Sequence, residues 1–213
     1  MNVLIVLAHP EPKSLNGYLK DFALKTLTAK GDEVKVSDLF AMKFKAVLDQ
    51  DDFKDRMDPD VFVPIVEQYN AVKTGKVPED VATEMEKVKW ADLIIFQFPV
   101  WWSSFPAILK GWIDRVFANG FAFDAAEGKM YDEGSLKGKK AMISFTTGAP
   151  RNMYTSEGPH GDIVTLIKVI THNTLEAVGL EVLPLFGIFG PTMMEKDEVK
   201  QEINRYKSIL ESL

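Results

Sequence analysis

Residues that can hold or transfer a proton gather in one short segment of this chain. Positions 146–162 follow an apolar run and contain hydroxyl side chains, glycines, Tyr154 and His160. A phenol and an imidazole can each hold or donate a proton, which a purely structural turn does not require. A Tyr can also anchor a loop and a His can cap the next helix, but polar loops of this kind normally bind a ligand. The segment therefore predicts a binding or catalytic loop.

A second polar segment, positions 9–16, follows the first apolar run of the chain. It contains His9, Lys13, Ser14 and Asn16 and leads directly into a helical pattern. These side chains, together with the free backbone N–H groups of a helix N-terminus, suit a phosphate. A simpler interpretation is that Ser14 only caps the helix and that His9 is a hydrogen-bonding residue at a strand end. The segment has neither the P-loop motif nor the dinucleotide-binding glycine motif.

Two adjacent tryptophans mark a third loop, between positions 99 and 106. Trp101 and Trp102 follow a strand pattern, and two neighbouring indoles in a loop are not easily buried together. Indole faces and backbone N–H groups can hold a planar heterocycle, so the pair predicts a flat aromatic ligand. The alternative is that one indole packs against the sheet and the other fills a subunit interface.

Alternating strand and helix patterns position these loops. Apolar runs predict strands at 3–7, 93–98, 140–145 and 181–186, and an alternating pattern predicts a more exposed strand at 33–36. Helical patterns cover about 14–30, 81–88, 106–117, 162–177 and 196–210. Positions 39–78 are less regular and predict an excursion with one short helix. The fold class is therefore α/β, a flavodoxin-like doubly wound parallel sheet of order 2-1-3-4-5 with helices on both faces. In this order the loops after strands one, three and four meet at one edge.

Composition limits the classes of protein that need consideration. A chain of 213 residues with 46% hydrophobic and 26% charged residues predicts one globular domain over 1–213. The net charge of -6 argues against nucleic-acid binding, and the absence of cysteine excludes thiolate chemistry. No apolar run suits a membrane span or a leader, so a cytoplasmic protein is expected. The three histidines lack metal-ligand spacing, so no metal site is predicted.

The three loops together resemble the NAD(P)H:quinone oxidoreductases of the flavodoxin-like superfamily, also called DT-diaphorases. The resemblance is carried by the first-strand loop and by four further segments, Phe96–Trp102, Pro106–Phe117, Thr146–Gly148 and Met153–Asp162. It implies a flavin, FAD or alternatively FMN, that accepts a hydride from NAD(P)H and passes one to a quinone. It also implies that residues of all three loops hold the flavin: His9, Ser14, Leu15, Asn16, Pro99, Val100, Trp101, Trp102, Ser103, Thr146, Thr147, Gly148 and Ala149.

The same resemblance assigns roles beside the flavin. It implies that Tyr154 and His160 offset negative charge as the hydride arrives, which agrees with the chemistry of hydride transfer. It also implies a homodimer whose second subunit completes a substrate pocket lined by Trp102, Phe123, Met130, Met153, Tyr154 and His160.

The chain departs from the family pattern at several places. Phe123 stands where the family often has Tyr, and the loop to Met130 is longer. The carboxyl-terminal segment of longer members has no counterpart, and either Lys196 or Lys200 could be the basic residue near an adenine phosphate. The acceptor and the choice between NADH and NADPH therefore stay open. Two other functions fit the same scaffold, an FMN-dependent azo- or nitro-reductase and a flavin-bearing regulatory subunit of a membrane transporter.

Overall fold

A parallel sheet lies at the centre of the computed structural model, which describes residues 1–213. Its strands are β1 Asn2–Leu7, β2 Glu33–Asp38, β3 Leu93–Pro99, β4 Lys140–Thr147, β5 Glu181–Val182 and β6 Phe186–Phe189. The order across the sheet is β2-β1-β3-β4-β5, and β6 also pairs with β4. The predicted fold class and strand order are confirmed.

Helices cover both faces of this sheet. Their bounds are α1 Leu15–Lys30, α2 Pro64–Thr74, α3 Glu79–Trp90, α4 Ala107–Val116, α5 Ile163–Leu166, α6 Lys168–Ile170 and α7 Lys196–Ser212. One apolar layer lies beneath α1 and α7, and a second lies beneath α3, α4 and the helical stretch that starts with α5. Alternate residues of β1 and β3 enter the two layers, which explains why these strands are apolar without alternation. None of the helices is long and apolar enough to cross a membrane.

Two predicted elements near the carboxyl terminus are interrupted. The helix predicted over 162–177 is divided into α5, α6, a π-helical turn Thr171–Leu175 and a 3-10 turn Glu176–Val178. Its first half is rich in β-branched residues, which lose side-chain freedom in a helix. The strand predicted over 181–186 is split into β5 and β6 around Pro184, which has no backbone N–H for the ladder.

The excursion over 39–78 is more regular than predicted. It contains a 3-10 turn, Gln50–Asp52, and α2, whose 11 residues exceed the short helix expected. Pro64 occupies the first turn of α2, and Gly75 ends it in the left-handed conformation with φ of 70°. The sequence therefore carries local start and stop signals for this helix.

A buried arginine attaches the excursion to the body of the fold. The guanidinium of Arg115 on α4 binds Asp52 (2.8 Å), Asp80 (3.1 Å) and the carbonyl of Lys45 (2.9 Å). Burial alone raises the pKa of Asp80, but the hydrogen bond and positive charge of Arg115 outweigh it and hold that pKa below its usual value. The stabilisation from this pair is therefore present above about pH 4 and is lost as the pH falls through the lowered pKa.

Replacing Arg115 tests this attachment. Arg115→Met removes the guanidinium from the buried carboxylate of Asp52 and leaves it only the partly exposed ammonium of Lys45 (3.0 Å), so we expect the free energy of unfolding to fall by about 3 kcal/mol. Urea unfolding at pH 7 measures the loss. The control is Lys76→Met, which breaks an exposed ion pair with Asp55 in the same region and is expected to cost no more than about 1 kcal/mol. Equal losses in the two variants would contradict this account.

Candidate functional site

Backbone hydrogen bonds bring the predicted loops together at the carboxyl edge of the sheet. The N–H of Ala8 donates to the carbonyl of Gln97 (3.0 Å), and the N–H of Val100 donates to that of Thr146 (2.8 Å). The loops that follow β1, β3 and β4 therefore start side by side. The loop after β6 joins them, because the N–H of Gly190 donates to the carbonyl of Thr147 (3.0 Å).

A cavity of about 490 Å³ opens between these loops. Most of its walls were predicted from the sequence. It is lined by His9, Asn16, Pro99, Val100, Trp101, Trp102, Thr146, Thr147, Gly148, Pro191 and Thr192. Sequence reasoning missed Pro191 and Thr192, which follow β6. The Gly190-Pro191 pair is a turn signal that marks a strand end at this edge, but the sequence pattern ends the last strand at Phe186 and so separates the pair from the edge.

The start of α1 offers free donors to this cavity. The hydroxyl of Ser14 accepts from the N–H of Gly17 (3.1 Å), so the capping interpretation of Ser14 is confirmed. The N–H groups of Leu15 and Asn16 have no acceptor in the protein, and the first turn of α1 has no acidic residue. This end of the helix therefore suits an anion such as a phosphate.

His9 is fixed at the edge of the same cavity. Its Nδ1 atom lies 3.0 Å from the backbone N of Glu11 and 3.2 Å from its carbonyl oxygen, which leaves Nε2 without a protein partner. The imidazole and the indole of Trp101 have ring centroids 6.4 Å apart. The first-strand loop and the tryptophan loop thus share one wall of the site.

The tryptophan loop is a tight hairpin turn with an unusual sequence. Trp101 and Ser104 exchange both backbone hydrogen bonds, and Trp102 and Ser103 between them have φ of 50° and 57°. Two positive φ angles characterise a type I′ turn, which strongly favours Asn-Gly. Trp102 is fully exposed and Trp101 is 43% exposed. A strained turn that presents bare indoles beside a cavity indicates a binding function.

The fourth-strand loop brings the predicted proton-handling pair together. The rings of Tyr154 and His160 have centroids 5.0 Å apart, and the N–H of His160 donates to the carbonyl of Met153 (3.0 Å). Tyr154 also packs on Phe189, with centroids 5.6 Å apart. The hydroxyl of Thr147 turns back to the carbonyl of Ala149 (2.7 Å). The two ends of this loop are therefore adjacent, as their spacing predicted.

Other predicted site residues do not line this cavity. Phe123 packs against the core and Met130 is exposed, both in the loop between α4 and β4. The other predicted site residues that do not line the cavity are Ser14, Leu15, Ser103, Ala149, Met153, Tyr154 and His160. Within one chain the donors and ring faces of the walls suit a phosphate and a planar ring, whereas the predicted substrate pocket is not enclosed. Free N–H donors, exposed indoles and hydroxyls fit a flavin.

Comparison with known proteins places this geometry in a family. Residues 1–210 match the model of the flavodoxin-like fold. Rat ribosyldihydronicotinamide dehydrogenase [quinone] is 42% identical over 99% of this chain and 91% of its own length. The chain belongs to the NAD(P)H:quinone oxidoreductase family.

Another family member and a solved structure are also similar. Rat NAD(P)H dehydrogenase [quinone] 1 is 38% identical over 99% of this chain and 76% of its own length. A Klebsiella pneumoniae structure assigned as a quinone reductase superposes with a TM-score of 0.95 at 39% identity, covering 100% of this chain and 84% of that chain. The family resemblance expected from the sequence is confirmed.

Replacing the two central residues of the tryptophan turn tests whether its backbone strain serves flavin binding. Replacing Trp102-Ser103 by Asn-Gly relieves two positive φ angles, so we expect a gain of about 1–3 kcal/mol in unfolding free energy and weaker flavin binding. Urea unfolding and a flavin titration measure the two effects. Lys43→Gly is the matched control, since Lys43 has φ of 50° away from the cavity and its replacement should leave flavin affinity unchanged. A stabilised variant with undiminished flavin affinity would refute a binding role for the turn.

Proposed function

We propose that this protein is a flavin-dependent quinone reductase that works by two successive hydride transfers, from a dihydronicotinamide and then to a quinone. The observation that carries the proposal is the single cavity in which free helix N–H groups, exposed indoles and the fourth-strand loop meet. The names of the relatives support the same reaction.

The residues in and beside the cavity have separable tasks in this proposal. Bound flavin, FAD or FMN, supplies the centre that accepts and returns the hydride. The N–H groups of Leu15 and Asn16 bind its phosphate, and His9 offers Nε2 beside them. The indoles of Trp101 and Trp102 and the backbone of Gly148 hold the planar ring.

Tyr154 and His160 are proposed to stabilise the negative charge that hydride transfer creates on the flavin. Their rings are in contact, so each can donate a hydrogen bond to the same region above the fourth-strand loop. A fixed donor at that position stabilises the negative charge that hydride transfer creates, and it needs no reorganisation at the moment of reaction. Substrate choice is then set by Phe123, Met130 and Met153, which stay predicted pocket residues.

The exposed apolar surface of the excursion supports a homodimer. Seven apolar side chains are exposed in this one region, which exceeds the scattered exposure normal for a monomer: Met42, Val47, Met57, Val61, Val63, Ile65 and Val66. A second copy of the chain would cover them and complete the substrate pocket that one chain leaves open. The cytoplasmic location and the undivided domain over 1–213 stay predictions from the sequence.

A turnover panel tests the reaction. Purified protein is assayed with NADH, NADPH and ribosyldihydronicotinamide as reductants, and with a quinone, an azo dye and a nitroaromatic as acceptors. We expect quinone turnover to exceed the other two, and the heat-released flavin identifies the cofactor by chromatography. Faster turnover of the azo dye or the nitroaromatic would favour that reductase instead. A flavin-loaded protein without turnover would favour a regulatory subunit.

Replacing His160 tests its role in charge stabilisation. His160→Leu removes a donor beside Tyr154, so we expect flavin reduction to slow about 100-fold with flavin still bound. Stopped-flow absorbance under anaerobic conditions measures the rate. The matched control is His172→Leu, because His172 is an exposed histidine of the π-helical turn Thr171–Leu175 and pairs with Glu176 (2.6 Å) instead of contacting Tyr154. An unchanged rate in His160→Leu would remove His160 from the reaction.

Charged substitutions test the dimer. Val61→Asp with Val66→Asp would bury unpaired charges in the interface, so we expect the dimer to dissociate at least about tenfold more readily. Light scattering after size-exclusion chromatography gives the mass at several concentrations. Tyr18→Asp on α1 is the control, since Tyr18 is equally exposed on the opposite face and should leave the mass unchanged. A wild-type protein of monomer mass would refute the homodimer.

A further inference from the structure

A buried chain of side-chain hydrogen bonds runs beneath the cavity. The amide Nε2 of Gln97 donates to Oδ1 of Asn16 (2.8 Å), and Nδ2 of Asn16 donates to Oγ1 of Thr146 (2.9 Å). All three side chains are buried, and they come from β3, α1 and β4. This chain therefore ties together the three elements whose loops form the site.

The direction of these hydrogen bonds determines what Thr146 presents to the cavity. Because Oγ1 of Thr146 accepts from Asn16, the hydroxyl hydrogen is not needed there, and it has no other acceptor in the protein. Thr146 also lines the cavity, so its O–H is free to donate to a ligand. If both amides were reversed, Thr146 would donate to Asn16 and would present only lone pairs.

Two hydroxyl groups lie beside Gln97, at the end of the hydrogen-bond chain that is farthest from the cavity. Ser144 pairs with Gln97 in the sheet register, so the two side chains share one face, and Tyr206 of α7 lies beside Ser144. Burial raises the pKa of the Tyr206 phenol well above its usual range, so it stays protonated and remains a donor. Oε1 of Gln97 and both hydroxyl oxygens are buried without a hydrogen bond of good geometry. Hydroxyl donors on this side favour the orientation in which the carbonyl oxygen of the Gln97 amide faces Ser144 and Tyr206. The NH₂ group of the same amide then faces Asn16.

We propose that Gln97 is a positioning residue that acts through Asn16 to keep the Thr146 hydroxyl as a hydrogen-bond donor to the flavin. The proposal rests on the flavin-binding function proposed above. Gln97 does not line the cavity, so its influence on a ligand passes through the two residues that do. The ligand group recognised is an acceptor oxygen or nitrogen, since a donor group at that position would meet the hydrogen of Thr146.

A double-mutant cycle tests this coupling. Gln97→Met keeps the volume and removes the donor to Asn16, and Thr146→Val removes the hydroxyl. We expect each single variant to weaken flavin binding about five- to tenfold. Because both changes remove the same donor, the double variant should lose no more than Thr146→Val alone. The dissociation constants are obtained by titrating apoprotein with FAD and with FMN.

A matched control separates this effect from general destabilisation. Gln68 is also buried, and its Nε2 donates to the carbonyl of Asp114 (2.7 Å) far from the cavity. Gln68→Met should lower the unfolding free energy while leaving the flavin dissociation constant unchanged. Flavin affinity in Gln97→Met within twofold of wild type, or losses that multiply in the double variant, would overturn the proposal.

A measurement on wild-type protein completes the test if Gln97→Met does not fold. Neutron diffraction of the deuterated, flavin-loaded protein locates the hydrogen on Oγ1 of Thr146. We expect it to point into the cavity, and a hydrogen directed at Oδ1 of Asn16 would overturn the proposal. Failure of wild-type protein to bind any flavin would instead refute the proposed function, so the two failures are distinguishable.

Discussion

The parallel ladder between β1, β3 and β4 is the constraint on which the rest of the structure depends. Parallel strands that are buried on both faces must all end at the same edge, and their following loops must meet there. The hydrogen bonds from Ala8 to Gln97 and from Val100 to Thr146 continue the ladder into those loops. The cavity is thus a consequence of strand order, and each loop only has to supply suitable donors and ring faces.

The same edge explains why polar groups are tolerated so deep in the protein. Gln97, Ser144 and Thr146 lie on the sheet face toward α1 and α7, where the apolar layer gives way to hydroxyls and amides near the strand ends. Buried amides and hydroxyls are costly unless they are paired, and their hydrogen bonds have a direction. In this protein the direction of the hydrogen bonds leaves the hydroxyl of Thr146 free to donate toward the cavity.

Much of the fold and of the site could be predicted from the sequence because the signals are local. Continuous apolar runs predict the central strands, the helical pattern that starts at Ser14 predicts α1, and the Trp101-Trp102 and Tyr154-His160 loops follow from residue type. The break at Pro184 was also readable in principle. The Arg115 network was not, because Asp52, Asp80 and Arg115 are distant in sequence and meet only through packing. The exposure of the valines of the excursion is likewise a result of the tertiary structure that residue type alone does not predict.

The central claim is that the three loops form one flavin site in each chain, and a titration of apoprotein with FAD tests it most directly. Trp101 and Trp102 lie at the cavity, so the account predicts saturable quenching of tryptophan fluorescence at one flavin per chain, together with a higher melting temperature. The same titration with FMN shows which flavin binds more tightly. Neither quenching nor a shift in melting temperature with either flavin would contradict the account.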